Sequence, residues 1–389
     1  MDLRQLNEDQ KVALKQFREA VKDCDLPDSD DTYLLRWLIA RQFDLAKAEK
    51  MLRNNLESRR FYQINPCPEN YVAPEVLAKY FPGGQLGVDK YNNYLMLIRF
   101  GLIDVKGLLL SEKPRVCLTY MCEDLEKVYF MAKKDPKKYK SSPTAIAQST
   151  VIMDMDGFSM RHITYKPALD TTVKVVQIIE GMYPELLYRV YIINAPKIFS
   201  VLYSMILPFI DERTRKKIQI FSHDSKQWKA AILEDVAPEE LPVMYGGTKT
   251  DPDGNPNCIT LANMGGNVPK SYYMSNKLDM SNKKSLSVSR GGKETLEIQV
   301  KEAGSVLKWD FHSEDNDISF AVYRKQGSEL LPIIPPNRVE CAMSAEEGEI
   351  HCNETGTYVV EFDNSFSYFR SKKIWFLVTV ELTSINKEE

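Results

Sequence analysis

The sequence has little of what metal, disulfide or most catalytic chemistry requires. Histidine occurs only four times, at 162, 223, 312 and 351, too sparsely for a His-rich metal site. The seven cysteines (24, 67, 117, 122, 258, 341, 352) form no CxxC pair and no Cys/His zinc spacing. Their odd, scattered count fits reduced thiols better than a disulfide framework. No GxGxxG, Walker A, HExxH or EF-hand pattern is present. Gly157-Phe158-Ser159-Met160-Arg161 places Arg161 where a nucleophile elbow needs its second glycine. Neither sign of charge dominates: 51 Lys+Arg against 54 Asp+Glu leaves −3, which argues against a general nucleic-acid partner. No apolar run reaches the roughly 20 residues of a bilayer span. The opening MDLRQLNEDQ lacks an apolar leader, Asp2 stands where myristoylation needs glycine, and the closing INKEE is no prenylation signal. These absences predict a cytoplasmic chain that is not an enzyme, with no metal and no cofactor.

What is present describes an ordinary globular chain. Its 389 residues, 43% hydrophobic and 27% charged, suggest two or three compact units. Residues 8–62 read as helices. Ala13, Phe17, Ala20 and Val21 share a face, then Leu34, Trp37, Leu38 and Arg41, then Ala48, Met51, Leu52 and Leu56. Asp30 or Asp31 can cap the second helix and Asp44 the third, and Pro66, Pro68 and Pro74 break the pattern. From about 94, short apolar runs (Tyr94 to Phe100, Val151 to Asp154, Tyr191 to Ala195, Ile218 to Phe221) alternate with helical stretches near 114–133, 167–181, 198–210 and 225–234. That alternation predicts a mainly parallel sheet covered by helices. Residues 248–284 are rich in Asp, Asn, Gly, Pro and Ser and read as a linker. Beyond it the period is two: Leu296, Ile298, Val300; Leu307, Trp309, Phe311; Ile318, Phe320, Val322; Tyr358, Val360, Phe362; and Ile374, Phe376, Val378, Val380. This predicts an all-β sandwich.

Three features carry possible chemistry. Asp154 and Asp156 end an apolar strand, either as an acid/base pair or as polar groups satisfying a turn. Lys133, Lys134, Lys137, Lys138 and Lys140 surround Asp135-Pro136 and read as a solvated loop. The segment 197–217 holds the best clue, an apolar stretch from Ile198 to Ile210 of 13 residues with basic residues at both ends. It reads either as a core helix or as a helix that is buried at times and lies in a membrane interface at others. In the second case Arg213, Arg215, Lys216 and Lys217 would meet anionic headgroups.

Ordered motifs then give a resemblance. Leu34-Leu35-Arg36-Trp37-Leu38-Ile39-Ala40-Arg41-Gln42-Phe43-Asp44 resembles the opening signature of the CRAL-TRIO lipid-exchange family. Ile152-Met153-Asp154, Tyr183-Pro184-Glu185, Ile192-Ile193-Asn194-Ala195-Pro196 and Leu241-Pro242-Val243-Met244-Tyr245-Gly246-Gly247 follow in that family's order. The C-terminal region ending Tyr358-Val359-Val360-Glu361-Phe362-Asp363-Asn364-Ser365 resembles a GOLD domain. The resemblance implies an α/β fold in three parts: a helical unit at 1–75, a lipid-binding domain at 76–247 with an apolar cavity, and a GOLD-type sandwich at 285–385 after the 248–284 linker. It implies a cytoplasmic, transiently membrane-associated carrier that takes a single lipid into a gated cavity. By position, the gate is the segment containing Tyr203, Met205, Ile206, Leu207, Phe209 and Ile210. In phosphatidylinositol-transferring members the headgroup is held by residues matching Arg41, Glu185 and Lys217. Ser149-Thr150-Val151 departs from the Ser-x-Thr of phosphatidylcholine-exchanging members, because Val151 lacks the hydroxyl. Two rival readings remain: a tocopherol- or squalene-type isoprenoid ligand with the three polar residues structural, or a lipid-sensing adaptor that recruits a protein through the GOLD domain.

Overall fold

A computed structural model describes residues 2–64, 68–140, 142, 144–274, 282–314, 317–342 and 345–382. Pro66 and Cys67, and part of the expected linker, lie outside the described residues. The chain divides into two units, one of residues 1–109 and 114–270, the other of 110–113 and 271–389.

The first unit begins with α1 (Glu8–Ala20), α2 (Asp31–Ala40) and α3 (Leu45–Tyr62). Asn7 and Gln10 form a capping box on α1, and Asp44 accepts from the Lys47 amide to start α3. Phe17, Leu34, Leu35, Leu38, Ala48 and Leu52 are fully buried where the three helices meet. Of the expected first face, Phe17 and Val21 are buried, but Ala20 is exposed and Leu14 is buried beside them.

After α4 (Glu75–Tyr80) come β1 (Gly83–Val88), β2 (Tyr94–Ile98), α5 (Val105–Ser111), α6 (Pro114–Lys134) and α7 (Pro136–Tyr139). Then follow β3 (Ser149–Asp154), α8 (Arg161–Thr164), α9 (Lys166–Met182), β4 (Leu187–Ile193), α10 (Phe199–Ile206), α11 (Glu212–Arg215), β5 (Ile218–Ile220) and α12 (Ser225–Asp235). The strands lie in the order β1-β2-β3-β4-β5; β1 is antiparallel to β2 and the rest are parallel. Alternation sends side chains to two cores. Met96, Val151, Val190 and Ile192 meet α6, α9 and α10. Leu95, Leu97, Ile152, Tyr191 and Ile193 meet Trp228 and Ile232 of α12. Burial on both faces explains why these runs are continuously apolar.

Two stretches differ from the sequence expectation. The lysine-rich segment at 133–140 includes a helical turn, because Asp135 accepts from the Lys138 amide with Pro136 at the first position. Residues 249–263, read as linker from their polar composition, pack against this unit instead. Buried Arg99 donates to the carbonyls of Asn257 (2.7 Å), Ala262 and Asn263, and Gly83 bridges Asn263. A polar composition signals absent periodicity; the contact is made by these backbone carbonyls together with buried Ala262 and the Asn263 side chain, whose Nδ2 donates to the Ala78 and Lys79 carbonyls.

The second unit holds β6 (Lys284–Val288), β7 (Lys293–Val300), β8 (Ser305–Ser313), β9 (Asp317–Gln326), β10 (Glu329–Glu340), β11 (Glu346–Cys352), β12 (Gly356–Asp363) and β13 (Lys372–Glu381). They form two antiparallel four-stranded sheets, ordered β10-β9-β12-β7 and β11-β8-β13-β6. Leu307, Phe311, Ile318, Val322, Val360, Phe362 and Ile374 are essentially inaccessible in its core. The period-two sets thus face inward. Edge strand β10 escaped detection because Pro332, Pro335 and Pro336 interrupt it and its pairing with β9 shifts register twice.

Candidate functional site

Two of the expected site residues, Glu185 and Lys217, sit just before the N-terminal ends of neighbouring parallel strands. Strands β4 and β5 pair in register Val190↔Ile218, and the Val190 amide donates to the Lys217 carbonyl at 2.9 Å. That pairing sets Lys217, just before β5, alongside Glu185, which lies in the turn from α9 to β4. The ammonium reaches Glu185 Oε2 at 3.0 Å. Glu185 Oε1 is 3.2 Å from Arg213 on α11. Glu185 itself holds a left-handed backbone (φ 56°), a costly conformation for a side chain with Cβ that recurs at functional turns.

Arg41 does not touch Glu185. Its Nη1 donates to the Ala40 carbonyl at 3.0 Å, and Arg213 Nη2 donates to the same oxygen at 2.9 Å. Arg213 thus stands between Arg41 and Glu185. Asp211 caps α11; the Arg213 amide, then the Arg213 and Arg41 charges, hold its carboxyl below the usual range. Burial raises the Glu180 carboxyl despite its hydrogen bond with Thr214. Arg36, also unmarked by the sequence reading, is buried with its guanidinium 4.1 Å from the Tyr129 ring centroid and reaches the Pro184 carbonyl at 3.5 Å, next to Glu185. A charge inside the apolar run Tyr33 to Ala40 was the available signal for it.

The basic end of 197–217 has a structural job. Arg215 donates to the Ile210 (2.8 Å) and Leu207 (2.9 Å) carbonyls, closing the orphaned end of α10 and the following turn. Arg213 also donates to the Ile39 carbonyl. Of the four cations expected to meet headgroups, Lys216 pairs with exposed Glu212 at 2.8 Å. Along the expected gate, Phe199, Leu202 and Ile210 are buried, and Tyr203 and Ile206 pack on the core. Val201, Met205 and Phe209 are exposed at 37%, 43% and 41%, spaced four residues apart. The segment therefore has apolar surface on both faces.

An apolar cavity of about 140 Å³ lies between the sheet and α5, α6 and α9, lined among others by Ile98, Leu108, Met121, Met153, Val175 and Ile179. Its lining does not include the six expected gate residues, because α10 packs on a neighbouring part of the same core. Asp154, weighed as half of an acid/base pair, accepts from Tyr245 Oη (2.9 Å), Asn194 Nδ2 (2.8 Å) and the Asp156 amide (3.0 Å). It joins strand end, turn and the Tyr245 segment, as the structural alternative had it. Among the described residues there is no group of three or more His, Cys, Asp and Glu placed to hold a metal, and no helix long and apolar enough to cross a membrane.

The model of the CRAL/TRIO domain matches residues 78–247, and that of the CRAL/TRIO N-terminal domain matches 13–54. The chain belongs to the CRAL/TRIO family. It is 32% identical over 308 residues to a CRAL-TRIO domain-containing protein of Caenorhabditis elegans, covering 76% of this chain and 41% of that one. It is 34% identical over 339 residues to Protein real-time of Aedes aegypti, covering 83% and 50%. The chain thus spans half or less of the length of these curated relatives. The crystal structure of Sfh5 superposes on 64% of this chain and 90% of its own with a TM-score of 0.51 at 20% identity, a likeness of fold. CRAL/TRIO domains bind hydrophobic lipid ligands. The C-terminal sandwich is consistent with a GOLD domain.

Proposed function

We propose that this CRAL/TRIO protein carries a single lipid between membranes, holding its tail in the cavity behind α9 and exchanging it when the segment 199–210 moves. The observation that supports this reading best is the doubly apolar segment beside an apolar cavity. A helix buried on one side and bearing Val201, Met205 and Phe209 on the other has a use for both faces only if it also meets an apolar medium. At about 140 Å³ the cavity lies below the range of about 300–1,000 Å³ typical of small-molecule sites, so loading requires the surrounding core to open. Each CH₂ moved from water into it gains about 0.8 kcal/mol. Tyr203, Ile206 and Ile210 serve as the inner face of the gate, and Met205, Leu207 and Phe209 as the part that meets the membrane.

For the headgroup, Arg41, Glu185 and Lys217 form the proposed contact set, extended by Arg213. Three cations against the carboxylates of Glu185 and Asp211 suit a phosphodiester with sugar hydroxyls, as in phosphatidylinositol. A second reading has its own support. Glu185 is already satisfied by Lys217 and Arg213, and the cavity lining is apolar, which fits a neutral isoprenoid such as tocopherol or squalene. Mass spectrometry of solvent-extracted, purified protein, paired with vesicle-to-vesicle transfer, tests both. Phosphatidylinositol that is lost in Lys217→Ala supports the charged set, and an isoprenoid overturns it. Neither lipid nor transfer would overturn the carrier and leave an adaptor, for which the exposed Tyr368 and Phe369 of the sandwich offer a protein contact.

A further inference from the structure

The turn between β12 and β13, residues 364–371, is tied down from beneath. Asn364 is fully buried, and its Nδ2 donates to the carbonyls of Arg370 (3.0 Å), Ser289 (3.2 Å) and Val288 (3.4 Å). The Ser367 amide donates to the Asn364 carbonyl at 3.0 Å, and Ser367 Oγ to the Arg370 carbonyl at 3.0 Å. Half-buried Phe366 has its ring centroid 3.9 Å from the Arg338 guanidinium and 4.4 Å from the Lys372 ammonium. Left at the tip are Tyr368 and Phe369, 82% and 90% exposed.

Three observations say what this tip meets. The first is that the fold makes no use of the two rings. Turns are ordinarily built from small polar residues, and Ser365, Ser367 and Ser371 serve that purpose here. Two adjacent aromatic side chains held in a fixed frame and left in water mark a contact surface. The second is size. Two rings bury at most about 300–500 Å², against about 800 Å² on each side of a stable protein interface. A bilayer interface requires no such footprint and accepts aromatic rings at headgroup level. The third is charge. Arg370 follows Phe369, and Arg290 lies in the turn whose Gly291 amide and Gly292 carbonyl bond the Asn364 backbone. Both are exposed, and neither pairs with an acid among the described residues. At this end of the sandwich Asp317 is engaged by Arg338 and Lys372, and Asp363 by Lys293, while Glu294 and Glu314 are exposed.

We propose that this tip is a second membrane contact: Tyr368 and Phe369 enter the headgroup region of an anionic bilayer, and Arg290 and Arg370 meet its phosphates. The contact belongs to the sandwich alone and stands whether or not the chain carries a lipid in its cavity. Two measurements on the full chain test it. The protein is sedimented with phosphatidylcholine vesicles with and without phosphatidylserine. Phe369→Trp is then followed by fluorescence on the same vesicles, with brominated phosphatidylcholine as quencher.

The added indole should shift to the blue on vesicles and be quenched by the brominated lipid, beyond the signal of the four native tryptophans. Tyr368→Ser with Phe369→Ser should weaken vesicle binding by about tenfold or more, since burying one ring shifts a partition by about that factor. Arg290→Gln with Arg370→Gln should weaken binding to phosphatidylserine vesicles by about tenfold or more and leave binding to neutral vesicles unchanged. Lys301→Gln, at the opposite end of β7, should alter neither, which separates the tip from general attraction to anions. All these positions are exposed, so the variants should melt with the parent. Three results overturn the proposal: no vesicle binding by the parent, binding undiminished by the serine pair, or an added indole that keeps its solvent emission on vesicles that sediment the chain. Any of them leaves the two rings to a protein partner.

Discussion

The Glu185 cluster offers the sharpest quantitative test. Glu185 is 13% exposed at its side chain, and its partners Lys217 and Arg213 are 23% and 35% exposed. Glu185→Gln removes one carboxylate from between two cations and leaves them facing each other. Full burial of such a broken pair would cost about 3–5 kcal/mol. Partial exposure lets water screen the survivors, so the expected loss is about 1–2 kcal/mol, closer to the upper end for surface pairs. For a unit of this size that lowers the melting temperature by about 2–8 °C. A double-mutant cycle with Lys217→Met isolates the pair and should return a coupling of about 1 kcal/mol. Calorimetric melting of the four proteins measures it. A coupling below about 0.3 kcal/mol would show that Glu185 and Lys217 do not hold one another in solution, and the proposed headgroup set would lose its anchor. Anionic lipid should recover part of the stability lost in Glu185→Gln by replacing the missing negative charge. A neutral ligand should not.

Three further outcomes follow from the geometry. Phe209→Asp puts a charge on the exposed apolar stripe, and it should slow vesicle-to-vesicle transfer by about tenfold without shifting the melting temperature, because Phe209 is already partly exposed. Val175→Phe fills part of the apolar cavity and should lower co-purified lipid while changing stability by no more than about 1–3 kcal/mol; undiminished lipid would place the tail elsewhere. His162 stacks on Phe158 at 4.7 Å, and burial, with a smaller contribution from Arg161, lowers its pKa. Its folded pKa lies below the unfolded value of about 6.5, so between the two the unfolded chain binds more protons. Stability should therefore be full above about pH 6.5 and fall as the pH drops toward the folded pKa; His162→Phe should flatten that slope, and an unchanged slope would remove His162 as its source.

Much of the architecture was legible because it rests on periodicity. The apolar spacing of Phe17, Leu34, Leu38 and Leu52 and the alternation of Leu307, Phe311, Phe362 and Ile374 are one-dimensional records of which face each element buries. The contacts of the candidate site were less legible. Glu185 and Lys217 are 32 residues apart and meet only because β4 and β5 pair in parallel. Arg213 lies between Glu185 and the Ile39 and Ala40 carbonyls, which are more than 170 residues away along the chain, a contact that no local spacing records. The aromatic tip was not legible either, since Tyr368 and Phe369 read as further apolar residues between two strands until Asn364 ties the turn that exposes them.

The sequence alone determined the elements, their apolar faces, the family likeness and the apolar stretch at 198–210, because each is set by local spacing or by contiguous motifs. Tertiary structure decided which charges neutralise one another, how small the closed cavity is, and that residues 249–263 belong to the first unit. Those are properties of distances between segments far apart in the chain, and a charge or an exposed ring acquires its meaning only from what packing sets beside it.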